Sequence, residues 1–255
     1  MEGFFNECPT LLFIDPWGYK HINTNILAQF LTRWGNEVFI FVNTKRLNAA
    51  FEQPDFQDSL KVVFPLTYSE VKENKRLVSG SPENRHKFII DHLADEFRRI
   101  LGGTVYYTAF EFREEEQETP SHYLLHVTKG AKGFELVKTV YNNYANVPRK
   151  LDDMQSVETY TFDPKKKLPN WFDEDFKQEN INKLKTELCN RYFGKTVIAE
   201  AMFNEDQKIR LNSRSHYLIA LRQLVDEKKI EVQYTDGKNH KASVLITPFC
   251  TLTFK

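Results

Sequence analysis

The chain has 255 residues, 41% of them hydrophobic, and its 35 basic residues balance its 35 acidic ones. A chain of this length can bury a sizeable core and suits a main domain with a smaller one. The net charge of zero excludes a partner that is recognised by net charge alone. Three widely spaced cysteines favour neither a disulfide framework nor a zinc site. With no signal peptide and no apolar run of about 18 residues, we expect a cytoplasmic protein without a membrane or metal partner.

The first predicted element is an apolar strand, Thr10 to Ile14, which is closed by Asp15-Pro16-Trp17-Gly18. A continuous apolar run of this kind is typical of a buried parallel strand whose carboxyl end brings functional groups to the rim of an α/β sheet. Buried strands have neighbours on both sides. We therefore expect the strand to pair with a separate polypeptide, a second copy of the chain, or residues Met1 to Pro9 folded back.

Helical spacing and apolar runs then alternate along the chain. In order, they predict a helix at 25–34, a strand at 37–43, an irregular stretch, a helix at 81–101, two antiparallel strands at 104–112 and 122–127, and a helix at 133–144. The last helix is expected to pack through Val137, Val140, Tyr141 and Tyr144. This order predicts a parallel sheet that finishes with an antiparallel hairpin at one edge, as in the second half of a methyltransferase-type sheet.

The remaining chain divides into a linker and a second domain. Residues 146–180 contain prolines and a lysine triplet without clear periodicity, which indicates a linker between a domain at 1–145 and one at 181–255. The second domain carries 13 basic against 8 acidic residues, a net of +5. Helical patterns at 181–193, 197–203 and 213–229 precede strands at 230–234 and 242–248, which are joined by Asp236-Gly237. Three helices followed by a hairpin predict a winged helix.

A winged helix reads nucleic acid with its third helix and its wing, or it docks another protein. Here the third helix is expected to bury Leu218, Leu221, Leu224 and Val225. The residues left to contact nucleic acid are Arg214, Arg222 and Gln223 of that helix and Lys238, His240 and Lys241 of the wing.

Candidate chemistry begins at Asp15, Pro16 and Trp17. The tripeptide is similar to the [DN]-P-P-[YFW] motif of nucleic-acid methyltransferases that modify amino groups, in which an aromatic residue stacks on the extruded base. Here the aromatic residue is third and Gly18 is fourth, which departs from the motif. Alternatively, Asp15 caps the following turn while Pro16 and Trp17 pack.

Polar residues also close the second strand. Asn43, Arg46 and Asn48 follow it and could bind a substrate carboxylate or phosphate, because arginine offers a bidentate fork, or they could form a polar helix start. His122 lies at the mouth of the predicted hairpin and is a further substrate-binding candidate. No serine or cysteine nucleophile with a matching base accompanies it.

Three blocks together resemble one known family. LLFIDPWGYK, FVNTKRLNAAFE and SHYLLHVTKGAKGFELVKTV are similar, in this order, to the three-Cys-motif partner family, TcmP, and the tail from Ile181 resembles its C-terminal winged-helix region. The resemblance implies a partial class I methyltransferase-like (Rossmann-type) sheet, a role in nucleic-acid modification or defence against mobile elements, and a radical-SAM-like partner protein.

The resemblance also implies S-adenosylmethionine as cofactor, but the family's cofactor-binding N-terminal half has no counterpart in this sequence. No glycine-rich loop follows a strand, and no acidic residue ends a second strand to hold a ribose. We expect either a substrate-positioning half of an enzyme whose cofactor half is missing or supplied in trans, or a non-catalytic scaffold that binds nucleic acid or protein through the winged helix.

Overall fold

A computed structural model describes residues 8–16, 19, 21–74, 82–114, 122–147, 159–166, 174–209, 212–234 and 246–255. The chain forms two compact units, and the second contains everything described from Glu174 onward. None of the described helices is long and apolar enough to cross a membrane.

The first unit is a mixed α/β structure around a five-stranded sheet. Its elements are β1 (Leu11–Ile14), α1 (Thr24–Leu31), β2 (Glu37–Asn43), α2 (Thr44–Ala50), α3 (Gln57–Val63), α4 (Tyr68–Asn74), α5 (Pro82–Leu101), β3 (Tyr106–Phe112), β4 (His122–Thr128), α6 (Ala131–Tyr144) and β5 (Thr159–Phe162). The strand order is β1-β2-β4-β3-β5, with β4 antiparallel to both of its neighbours and the outer pairs parallel.

Helices cover the two faces of this sheet unequally. On one face, here called the α5 face, α1 and α5 bury the main apolar core, in which Val38, Ile40 and Leu125 are completely inaccessible to solvent. On the opposite face, here called the α6 face, α6 packs on β3, β4 and β5. Phe134 and Tyr141 of α6 are buried there against aromatic rings of the strands.

β1 is not the buried central strand that its sequence predicts. Within the described residues it pairs only with β2, and it therefore forms an edge of the sheet. Leu12 and Ile14 pack against the core, whereas Leu11 is 63% and Phe13 55% exposed on the α6 face. A continuous apolar run cannot reveal which of its two faces is covered.

Several expectations for the first unit need correction. The stretch expected to be irregular contains α2, α3 and α4, which are short helices of seven residues each. The β3–β4 hairpin is not at the edge of the sheet, because β5 pairs in parallel with β3 beyond it. β5 and the helical residues 174–180 also lie within the predicted linker at 146–180.

The buried face of α6 is also shifted from the prediction. Val137 and Tyr141 are buried as expected, but Val140 is 43% and Tyr144 65% exposed. Phe134 and Lys138 take their places in the interior. The difference arises because helical spacing defines an apolar stripe but not which side of a wide stripe meets the sheet.

The second unit contains α7 (Glu174–Tyr192), β6 (Thr196–Ile198), α8 (Ala199–Asp206), α9 (Arg214–Asp226), β7 (Ile230–Tyr234) and β8 (Cys250–Phe254). The three strands form an antiparallel sheet in the order β6-β8-β7. Its core includes Leu184, Tyr217, Leu221, Leu224 and Leu252.

Three predictions for this unit are inexact. Thr196–Ile198 is a strand, so the second helix begins at Ala199. Of the strand expected at 242–248, residues 242–245 lie outside the described residues and 246–248 are not in a strand, whereas β8 follows at Cys250–Phe254. In α9, Leu221 and Leu224 are buried, but Leu218 and Val225 are only half-buried.

Candidate functional site

Polar side chains from three strands meet at one edge of the five-stranded sheet. β1 and β2 are parallel, so Asp15 and Asn43 follow their carboxyl ends at the same edge. β4 runs the other way and begins there, with His122 directly opposite Asn43 in the strand register. The sheet topology thus brings Asp15, Asn43 and His122 together.

Asn43 has two structural functions. Its Oδ1 accepts a hydrogen bond from the backbone N–H of Arg46 at 3.0 Å and caps the N-terminus of α2. Its Nδ2 lies 3.0 Å from Nε2 of His122. The capping bond identifies the oxygen of the amide, so the amide nitrogen is the atom that faces the histidine.

This orientation determines the tautomer of His122. Because Nδ2 of Asn43 can only donate, Nε2 of His122 accepts, and the ring is neutral with its proton on Nδ1. Nδ1 lies 3.5 Å from Oε1 of Glu114. The ring also stacks on Phe41, with 5.2 Å between the ring centroids. Packing and two polar neighbours therefore hold the imidazole in one orientation.

The charges around His122 act on its pKa in opposite directions. Burial is the main cause of a His122 pKa below its usual value. The carboxylate of Glu114 opposes this effect on the pKa, and so, more weakly, does that of Asp15. Lys45 and Arg46 lower the pKa further, so the outcome agrees with the neutral ring that Asn43 requires.

Asp15 is the most accessible member of the group. It is exposed, and within the described residues no hydrogen bond or ion pair holds its carboxylate. Pro16 is half-buried beside it. Trp17 and Gly18 lie outside the described residues, as does the turn that Asp15 would cap in the alternative interpretation.

The other residues proposed after β2 take different positions. Arg46 is exposed on the first turn of α2 and its side chain faces solvent near His122, whereas Asn48, two residues later, is half-buried. The polar helix start is confirmed, because Asn43 caps α2. Arg113 follows Phe112, the residue that pairs with His122, and places its Nε 3.4 Å from Oε1 of Glu111.

Sequence reasoning missed Lys45, Glu114 and Phe41 as neighbours of His122. Nζ of Lys45 lies 4.0 Å from Oε1 of Glu114, which therefore lies between a cation and the imidazole. These residues come together only through the pairing register of β2, β4 and β3. That register cannot be predicted from a local sequence pattern. The position of Glu114, two residues after the end of β3, was the available signal.

In the second unit, the described candidate residues are partly engaged by neighbours. Arg214 donates to Oε2 of Glu200 at 2.6 Å and lies over the ring of Phe203, so it is turned back onto α8. Gln223 bonds to Gln178. Arg222 is exposed on α9. The wing candidates Lys238, His240 and Lys241 lie outside the described residues.

The described residues do not fit the cofactor that the family resemblance implies. A nucleotide cofactor needs a close backbone approach, which glycines after a strand provide. Of the described glycines, Gly130 and Gly133 follow a strand, since they come after β4 at the start of α6, whereas Gly35 precedes β2, Gly102 and Gly103 follow α5, and Gly194 follows α7. Because β4 is antiparallel to β2, this turn lies at the edge of the sheet opposite to Asp15, and Gly133 lies against the carboxylate of Glu37. At the end of β2, the chain enters α2 directly through Asn43.

Among the described residues, no group of three or more His, Cys, Asp or Glu side chains could hold a metal ion. Comparisons with models of protein families, with curated proteins and with solved structures found no match for this chain. The site is therefore interpreted from its own geometry.

Proposed function

We propose that the first unit is the substrate-positioning half of a methyltransferase-like enzyme, similar to TcmP proteins, that modifies nucleic acid in a defence system. The cofactor-binding half is then supplied by another polypeptide. The observation that carries this proposal is the convergence of Asp15, Asn43 and His122 at the carboxyl edge of the sheet.

The strand order supports the methyltransferase-like part of the proposal. β1 and β2 are parallel, and β4 is inserted in the opposite direction between β2 and β3. A parallel sheet that continues into such a hairpin is the arrangement expected for the second half of a methyltransferase-type sheet. Open α/β sheets bind ligands at the carboxyl ends of their parallel strands, which is where Asp15 lies.

The chemistry of the site suits positioning more than acid–base catalysis. The exposed carboxylate of Asp15 can accept a hydrogen bond from a substrate amino group and fix its direction. The exposed guanidinium of Arg46 can bind a substrate phosphate or carboxylate. His122 accepts from Asn43 through Nε2, so that nitrogen is not available to take a proton from a substrate.

The second unit supplies nucleic-acid contact in this proposal. Three helices and a three-stranded sheet in the order β6-β8-β7, with a long connection before β8, suit a winged helix. Arg222 is the exposed cation of α9, whereas Arg214 already pairs with Glu200. Because Arg214 is already paired, its position favours the alternative in which the second unit docks a protein. Salt-dependent binding of duplex DNA or RNA would distinguish nucleic-acid contact from protein docking.

Replacing Asp15 by alanine tests the proposal. The assay follows the incorporation of tritiated methyl groups from S-adenosylmethionine into host nucleic acid, with the purified chain added to host extract as the source of the cofactor half. We expect incorporation to depend on the chain and to fall at least about tenfold in Asp15→Ala, because a hydrogen bond to a charged group is lost.

Two further variants serve as controls for this assay. Asp15→Asn keeps an acceptor oxygen and is expected to lose less activity than Asp15→Ala. Asp58→Ala removes an exposed carboxylate that pairs with Lys61 and should leave incorporation unchanged. Incorporation that does not depend on the added chain, or an unchanged rate in Asp15→Ala, contradicts the proposed function.

A further inference from the structure

In the part of the chain that the structure describes, the α6 face of the sheet carries an exposed apolar surface beside the β1 edge. Leu11 and Phe13 of β1 are 63% and 55% exposed there, and Phe39 and Phe41 of β2 are half-buried. On β3, β4 and β5 the corresponding surface is covered by α6. The exposed floor is therefore confined to the two strands nearest the edge.

One side of α6 forms a wall for this floor. Gly133, Leu136 and Val140 are spaced by three and four residues, so they lie along the same side of the helix. Gly133 lies against the carboxylate of Glu37 on β2, which places that side toward β2. Leu136 is 64% and Val140 43% exposed. We call the surface formed by Leu11, Phe13, Phe39, Phe41, Leu136 and Val140 the trough.

The width of the trough matches one helix. Neighbouring strands lie about 4.8 Å apart, so two strands present a floor about 10 Å wide. A helix has a diameter of about 10 Å and packs about 8–10 Å from a neighbouring helix. A helix with an apolar face would therefore fill the trough with α6 at its side. Large contiguous apolar patches of this kind mark interaction sites on soluble proteins.

The handedness of parallel crossovers indicates which kind of polypeptide brings that helix. The crossover from β1 through α1 to β2 lies on the α5 face. Crossovers between parallel strands are right-handed in about 98% of cases. A crossover that progresses along the sheet away from β2, opposite to the direction from β1 to β2, therefore has its helix on the face opposite to α1. A parallel extension that progresses outward from β1 thus puts its crossover helix on the α6 face, which is the face that carries the trough.

We propose that the β1 edge and the trough together bind one separate polypeptide of βαβ type, which adds a parallel strand to β1 and lays an amphipathic helix in the trough. This inference deepens the proposed function and rests on it for the chemistry that the partner brings. β1 then lies where the crossovers change direction, and ligands bind at the carboxyl ends of strands at such a point. Asp15 is at that end of β1, so the site is completed by the partner.

Photo-crosslinking in the native host tests the proposal. p-Benzoylphenylalanine replaces Phe13 in the trough or, as a matched control, Trp34, an aromatic residue after α1 that is 72% exposed. We expect position 13, but not position 34, to crosslink one separate polypeptide, at residues spaced three or four apart on one amphipathic helix. The purified complex should contain the two chains in equal amounts.

Charged substitutions measure the same contact in the purified complex. We expect Phe13→Asp to weaken it at least about tenfold, because a buried carboxylate replaces an apolar contact. Ile26→Asp, at an α1 residue that is 61% exposed, should change affinity less than twofold. Leu136→Asp repeats the test on the α6 wall, and circular dichroism verifies that each variant is folded.

Other crosslinking results would overturn the proposal. Crosslinks from position 13 to a second copy of the chain would assign the trough to self-association. Crosslinks to residues 1–7 of the same molecule, or crosslinking equal at positions 13 and 34, would exclude a docking role for a partner. A complex that forms but transfers no methyl groups would support the docking surface and contradict only the proposed function.

Discussion

Replacing Glu96 by alanine is expected to lower the free energy of unfolding of the first unit by about 3 kcal/mol. Glu96 lies on α5 and is completely buried. Its Oε1 accepts from the hydroxyl of Thr67 at 2.7 Å and from the backbone N–H of Leu66 at 3.0 Å, and it also accepts from the backbone N–H of Thr67. Alanine would leave the hydroxyl and the N–H of Thr67, which is completely buried, without this acceptor.

This carboxylate also fixes the start of α4 against α5. Thr67 directly precedes α4, and its carbonyl accepts the first helical bond, from Val71, at 2.9 Å. A carboxylate at a helix N-terminus satisfies free N–H groups and interacts favourably with the helix dipole. Loss of Glu96 is therefore expected to loosen α4 as well as to lower global stability.

Urea unfolding followed by circular dichroism, together with hydrogen exchange of the α4 amides, measures this effect. Glu96→Gln keeps one acceptor oxygen and should be destabilised less than Glu96→Ala. Glu70→Ala is the matched control, because Glu70 is an exposed carboxylate on α4 that pairs with Arg99. An unfolding midpoint of Glu96→Ala equal to that of Glu70→Ala would contradict the assigned role.

Replacing Asn43 by aspartate is expected to raise the pKa of His122 from its lowered value to above the unfolded-state value of about 6.5. Aspartate still caps α2 through one oxygen, but its second oxygen replaces the amide nitrogen that now faces Nε2. An acceptor at that position favours a proton on Nε2, and its negative charge favours the imidazolium. Nδ1 already faces Glu114.

The pH dependence of stability should reverse with this substitution. In the natural chain the folded-state pKa of His122 is lowered. The stabilising contribution of His122 to the free energy of unfolding is therefore fully present above the unfolded-state pKa of about 6.5, and it is lost as the pH falls through the folded-state pKa. In Asn43→Asp the folded-state pKa is raised. The contribution is then present below about pH 6.5 and is lost as the pH rises through the new value.

Nuclear magnetic resonance of the His122 ring tests both the pKa and the tautomer. Asn43→Ser is the control, since serine can cap a helix but adds no charge beside the imidazole. We expect imidazole protonated on Nδ1 in the natural chain. In Asn43→Ser the donor to Nε2 is lost but no charge is added, so the pKa of His122 should rise less than in Asn43→Asp. A natural His122 protonated on Nε2 at neutral pH would contradict the orientation of Asn43.

Strong local patterns predicted much of the fold. β2 and α5 were predicted almost to the residue, because one is an uninterrupted apolar run and the other has a proline near its start and Gly102-Gly103 at its end. α3 and α4 were missed, and α2 was predicted only as an alternative, because seven residues carry too few turns for a clear period. β8 was displaced because residues 242–248 are more apolar than its alternating threonines.

The candidate site was predictable only in part. Asp15 and Asn43 are visible in the sequence as polar residues after apolar strands. Their contact with His122 depends on β4 inserting between β2 and β3, so that His122 pairs with Asn43. Local propensity and periodicity do not predict which strands pair when the strands are far apart in the sequence. The uncovered face of β1 was invisible for the same reason.

The central claim is that this chain holds the substrate edge of a site but does not by itself hold the cofactor. Calorimetric titration of the purified natural chain with S-adenosylmethionine tests it most directly, with Asp15→Asn titrated in parallel. The account predicts no saturable heat for the chain alone. Binding at micromolar concentration, with one site per chain, would contradict it, because the described residues would then have to provide a cradle that their glycines do not form.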